Sequence, residues 1–241
     1  MKKVTSAALL ALKLTWKLVL LLFFLTGGVQ LFSVYQELMP GGVPLQTTFG
    51  FEHLIQTAVM PAGKYWMAFL AISLSVQASQ SKGSKTVYTM NRLGLSETQV
   101  TLIFGGIFTG YFLLYWAFQL ALAYGCFVWY SRFTLVSTNA WMLACWRSEW
   151  LHTLLPLGEW WGYVRNAAIC LSFGFVAAMG STLARHGKRP LISALPAMAC
   201  ALLLFGEIGV PVADLVLAGV LVILTVFCYF RMKEVLNDDD L

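Results

Sequence analysis

The sequence predicts an all-α, polytopic membrane protein of six transmembrane helices, with both termini in the cytoplasm and a short cytoplasmic helix between the second and third spans. Three observations carry this. Only 11% of the 241 residues are charged and 59% are hydrophobic, whereas a soluble domain carries about 25% charged residues. The apolar residues come in long uninterrupted runs, and a hydrocarbon core of roughly 30 Å needs about 20 such residues per helix. The basic residues fall mostly between these runs, so they report orientation before they report a polyanionic partner.

The first span covers residues 16–35, with Lys2, Lys3, Lys13 and Lys17 before it and Tyr35 as an interfacial anchor at its far end. Residues 4–20 grade directly into it, with no separate elbow helix. Lys13 and Lys17 interrupt the apolar stretch and no small-residue cleavage site follows, so a retained helix is expected rather than a signal peptide. An external loop with Pro40-Gly41-Gly42 leads to the second span, residues 61–79, which opens with Tyr65-Trp66. Residues 81–100 are the most polar internal stretch, and the third span is 101–130. Residues 131–159 carry Trp141, Trp146 and Trp150 and are expected to lie along the outer membrane surface. The fourth span, 160–183, ends at the basic turn Arg185-His186-Gly187-Lys188-Arg189, and the fifth and sixth are 191–208 and 211–230. The tail, 231–241, is charged and expected to be loosely ordered.

Six spans place both ends on one side of the membrane. With the N-terminus cytoplasmic, twelve of the sixteen basic residues lie inside, and Lys64, Arg132, Arg147 and Arg165 lie outside. A multi-pass plasma-membrane protein of this orientation accounts for the formal charge of +5 without nucleic acid. The five cysteines, Cys126, Cys145, Cys170, Cys200 and Cys228, are scattered singly, which gives neither a disulfide framework nor a thiolate metal site. Cys145 is the one expected in a loop.

Function is most legible in the cytoplasmic segment 81–100. Ser96-Glu97-Thr98-Gln99 is a capping-box pattern, Ser-x-x-Gln ahead of an apolar run, and predicts where the third-span helix starts. Upstream, Val87, Met90 and Leu93, with Leu95 just beyond, form a short apolar stripe beside the polar Lys85, Thr89, Asn91 and Arg92. A short amphipathic helix of that kind needs a surface to dock on. At this point the chain resembles the membrane subunits of type-2 ATP-binding cassette exporters, whose six spans carry a coupling helix between the second and third. That family's segment reads basic, hydrophobic, proline, hydrophobic, then Ser or Thr. Arg92-Leu93-Gly94-Leu95-Ser96 matches it, with Gly94 where proline is usual.

The resemblance implies a permease subunit that exports an amphipathic compound, a peptide or a lipid-like substrate. Tyr88, Met90, Asn91, Arg92, Leu93 and Leu95 would then meet a partner ATPase. The chain has no G-x-x-x-x-G-K-[ST] phosphate loop, so an ATP-binding cassette ATPase would be a separate subunit holding ATP and Mg, and no cofactor is expected on this chain. A second permease subunit, identical or related, would complete the pathway. The alternative is a non-transporting membrane scaffold or binding protein. An intramembrane enzyme is disfavoured, because no span carries a Glu-Glu, His-x-x-x-His or Ser/Lys constellation near its middle.

Four further features have two readings each. Glu207 and Asp214 fall near the outer ends of the last two spans, Asp214 in the first turn after Pro211. They either line an outer gate or are wetted hairpin residues. Gly106-x-x-x-Gly110 lets a helix approach closely, within one subunit or between two. Glu149 and His152 share a helix face, as in carboxylate-bridged metal sites, but such sites need several contributions, and the only other pair of this kind is Glu52-His53, so no metal is expected. The tryptophans of 131–159 either cover the mouth of a pathway or simply prefer the interface.

Overall fold

The computed structural model describes residues 2–39, 50–57, 62–79, 94–134, 139–189, 195–203 and 211–237, and among these every regular element is helical, with no strand. In chain order the helices are α1 (Lys2–Leu38), α2 (Phe51–Thr57), α3 (Gly63–Ser79), α4 (Glu97–Tyr130), α5 (Ala140–Arg147), α6 (Glu149–Leu154), α7 (Trp160–Arg185), α8 (Leu195–Leu203) and α9 (Pro211–Asn237).

α1 is one continuous helix of 37 residues, about 55 Å long at 1.5 Å per residue. Its buried positions, Ala7, Ala11, Thr15, Val19, Leu22, Thr26, Gln30, Val34 and Leu38, recur every three or four residues and make a single stripe. The rest of its circumference is apolar and outward-facing, with Phe24 77% exposed. α9 repeats the pattern, with Ile223, Phe227 and Phe230 exposed. Large apolar side chains turned outward over whole helices are stable in lipid and not in water. The chain is a helical membrane protein.

Four helices among the described residues, α1, α4, α7 and α9, are long and apolar enough to cross a bilayer, against the six expected. The shortfall is one of length. The second predicted span, 61–79, appears as α3, whose 17 residues rise about 26 Å. The fifth, 191–208, is represented by α8, whose nine residues rise about 14 Å; positions 190–194 and 204–210 lie outside the described residues. The other four run past their expected ends. The tail expected to be loose continues as helix to Asn237, with Arg231 bonded to Glu234 at 2.8 Å.

Contacts between helices set their directions. Thr15 meets Tyr111, Gln30 meets Gln119 and Tyr35 stacks on Trp129, so α1 and α4 run parallel. Thr101 meets Thr182, Phe112 stacks on Phe173 and Trp116 faces Tyr163, so α7 runs opposite to α4. α3 follows α7, with Gly63 beside Gln119 and the Ser75 hydroxyl 3.1 Å from the Ala177 carbonyl. Asp214 meets Arg165 and Thr225 meets Ser172, so α9 also runs with α7. Because α7 and α9 are parallel, the chain joining them has to travel back across the bundle, and α8 lies in that return.

α7 is the hub: 72% of its apolar stretch is buried, against 22% in α1 and 28% in α9. Its closest approach is to α4. A Cβ added at Gly174 would overlap the Thr109 backbone, lying 2.7 Å from its Cα, and one at Gly105 would lie 2.9 Å from the Phe175 ring. Small residues at these points let the two helices pack at close range. The glycines singled out in the sequence play no part in this contact. A Cβ at Gly106 or Gly110 would meet nothing within 4 Å.

The segment between α4 and α7 is not a single surface helix. Trp141 of α5 packs on Phe51, Tyr124 and Phe127, and Trp146 is exposed, whereas α6 is drawn inward, with Trp150, Leu151, Thr153 and Leu154 buried. Cys145, expected in a loop, is fully buried in α5. Burial pushes its thiol up to about 11.

Candidate functional site

Polar side chains converge on one level of the bundle, near the end that α6 closes. An α-helix leaves its last four carbonyls without intrahelical donors. In α6 two of them are taken by side chains of the surrounding helices: Trp116 Nε1 of α4 donates to the Leu154 carbonyl at 2.9 Å, and Asn166 Nδ2 of α7 donates to the Thr153 carbonyl at 2.6 Å. At the other end of α6 the Ser148 side chain accepts from the Leu151 amide. Trp150 enters against Gly63, where a Cβ would lie 2.7 Å from its Cζ2 atom. Glycine at that point makes room for the indole.

The layer extends to both sides. Gln30 of α1 and Gln119 of α4 exchange two amide hydrogen bonds at 3.0 and 3.1 Å, and both are buried. Tyr115 donates to the Gly63 carbonyl at 3.3 Å. On the far side Arg165 of α7 and Asp214 of α9 form an ion pair at 3.2 Å with side-chain exposures of 4% and 5%. Among the described residues Arg165 Nε and Asn166 Oδ1 find no hydrogen-bond partner. Asn166, Thr153, Gln119 and Tyr115 border a cavity of about 10 Å³, roughly the room one water needs. Buried polar groups need hydrogen-bond partners of this kind. Here they hold a short helix in the mouth of the bundle.

The opposite end carries a second constellation. Ser96 caps α4 as its sequence pattern predicts: its Oγ accepts from the Gln99 amide at 3.3 Å, and Gln99 Oε1 accepts from the Ser96 amide at 3.2 Å. Gly94 has φ +60°. Proline is locked near −65° and cannot adopt that angle, whereas glycine can. Glu97, the first residue of α4, forms an ion pair with Arg185 at 3.2 Å and lies 3.8 Å from His186, both at the end of α7. An acid at a helix start and a base at a helix end each suit the local dipole. Arg185 also lies over the Phe104 ring.

Of the residues proposed from sequence, Leu95 is half-buried against the core, while Tyr88, Met90, Asn91, Arg92, Leu93 and Glu207 lie outside the described residues. Asp214 is neither wetted nor open to solvent. It is the buried partner of Arg165, a residue expected on the outer side of the membrane. His152 does not join Glu149. Its Nε2 lies 3.5 Å from Glu159, and Glu52 is taken by Arg147 at 3.3 Å. Among the described residues no group of histidine, cysteine and acidic side chains is arranged to hold a metal ion. Gln30, Gln119 and Asn166 escaped the sequence reading, although a carboxamide within an apolar run was the available signal. Comparison with protein-family models, curated proteins and solved structures finds no match to this chain.

Proposed function

We propose that this chain is the permease subunit of an ATP-driven exporter, carrying an amphipathic compound, peptide or lipid-like substrate across the plasma membrane. ATP and Mg would be held by a separate ATP-binding cassette ATPase, and a second permease subunit would complete the pathway. The observation that carries this reading is the clasp of Glu97 with Arg185 and His186. It ties the start of α4, directly after the 81–96 segment, to the end of α7, so a push on that segment would move α4 and α7 together as a rigid pair. Tyr88, Met90, Asn91, Arg92, Leu93 and Leu95 would receive that push.

Orientation follows the positive-inside rule. The clasp end gathers Lys3, Arg185, Lys188, Arg189 and Arg231, and the start of α1 and the end of α9 both belong to it. That end would face the cytoplasm. The parallel course of α7 and α9 supports a crossing between them and thus a six-span topology. Asp214, with Glu207 nearby in sequence, would then belong to an outer gate, with the polar layer and α6 as its closed form. Gly106 and Gly110, on an open face of α4, would be available to the second permease subunit.

The narrowness of the interior, about 10 Å³ at the polar layer, favours the alternative of a non-transporting scaffold. One experiment separates the two. The protein is solubilised gently, and the stoichiometry of any copurifying phosphate-loop ATPase is measured, together with ATP-dependent efflux in cells that lack the chain. A permease requires both a stoichiometric ATPase and a loss of efflux. Replacing Arg92 and Leu93 together should then abolish both motor binding and transport, and unchanged values would sink the coupling assignment.

A further inference from the structure

A second cavity, unrelated to the polar layer, opens at the basic end of the bundle between the end of α7, the start of α8 and the last turns of α9. Its volume is about 460 Å³, within the roughly 300–1,000 Å³ of ligand pockets. Leu224, Phe227 and Met232 of α9 form its apolar wall, and Lys188, Arg189 and Arg231 stand at its rim. No carboxylate lines it among the described residues; Glu234, which accepts from Arg231 at 2.8 Å, lies outside the lining.

We propose that this cavity binds an anionic phospholipid of the adjacent leaflet, with its phosphate among Lys188, Arg189 and Arg231 and an acyl chain along α9. The chemistry is complementary at both ends of the ligand. The apolar wall suits an acyl chain rather than a soluble anion, and Lys188, Arg189 and Arg231 in the same lining offer positive charge to a phosphate. Leu224, Phe227 and Arg231 stand three and four residues apart, so one face of α9 runs from acyl depth to headgroup depth without a break. The inference needs only that the chain is membrane-embedded, and it survives whether or not the permease reading does.

The test uses the full-length protein in detergent, with phosphatidylglycerol, phosphatidylcholine and inorganic phosphate as probes, and native mass spectrometry and thermal unfolding as readouts. Phosphatidylglycerol should be retained and should raise the unfolding midpoint, while phosphatidylcholine does neither. The triple variant Lys188→Gln, Arg189→Gln, Arg231→Gln changes only rim residues and should weaken retention on the order of a hundredfold, with the lipid-free midpoint unchanged. Leu224→Trp, which fills the wall and keeps the charges, should also lose the lipid. Glu234→Gln, which frees Arg231, should strengthen binding. Equal retention of the two lipids, full retention by the triple variant, or displacement of the lipid by inorganic phosphate would each overturn the proposal.

Discussion

Arg165 and Asp214 face each other at 3.2 Å in the bundle interior, one on α7 and one on α9, and each side chain is at least 95% enclosed. The pair is the only ionic tie described between these two helices, and Arg165 Nε adds no further hydrogen bond. Removing one partner therefore leaves a buried charge with nothing to answer it. Asp214→Asn or Arg165→Gln alone should cost about 3–5 kcal/mol, whereas Arg165→Met with Asp214→Leu should recover most of the loss. Thermal unfolding of the two single variants and the double in detergent measures the cycle. A double variant as unstable as either single would contradict this account.

Gly174 and Gly106 make opposite predictions although both lie on long membrane helices. Gly174→Ala drives a methyl into the Thr109 backbone and should destabilise by about 1–3 kcal/mol. Gly106→Ala and Gly110→Ala meet nothing within the subunit and should leave its unfolding midpoint unchanged. If the open face receives a second subunit, these two changes should instead lower the dimer fraction seen by in-membrane crosslinking.

Gly94 holds a left-handed backbone just ahead of the capped start of α4. Gly94→Pro should be more damaging than Gly94→Ala, because proline cannot reach φ +60° at all. Ser96→Ala removes one side of the capping box and should cost about 0.5–2 kcal/mol. Hydrogen exchange at the first turn of α4 reports both: the turn should exchange faster while the middle of α4 is unaffected.

The Cys145 thiol, raised from 9.0 to about 11 by burial in α5, should resist alkylation. Its folded form keeps the proton that the unfolded chain gives up, so its contribution to stability is complete below pH 9 and declines as pH rises toward 11. Maleimide labelling followed by peptide mapping should find Cys145 unmodified at pH 8 until denaturant is added. Rapid labelling of the native protein would show that α5 is not packed as described.

Much of this molecule was legible without a structure. The apolar runs mark α1, α4, α7 and α9, because a bilayer rewards uninterrupted hydrophobicity and punishes unpaired backbone. The Ser96 cap was readable because it is a local arrangement, made within four residues and independent of distant contacts. Span count was less secure. α3 and α8 fall short of a bilayer width in the described residues, and hydropathy averages do not separate a short packed helix from a spanning one.

What tertiary structure alone decided is which polar residues meet. Gln30 and Gln119 are 89 positions apart, Arg165 and Asp214 are 49 apart, and nothing in either neighbourhood announces the partner. The same holds for the glycines. Gly105, Gly106, Gly110 and Gly174 look alike in an apolar run, yet only Gly105 and Gly174 face a neighbouring helix, because a shift of one residue turns a helical position by about 100°. Composition and hydropathy are sums along the chain, and the sequence by itself determined what depends on such sums: membrane residence and helical class. Pairing depends on which face each helix turns inward, and that is settled only when all the helices pack together.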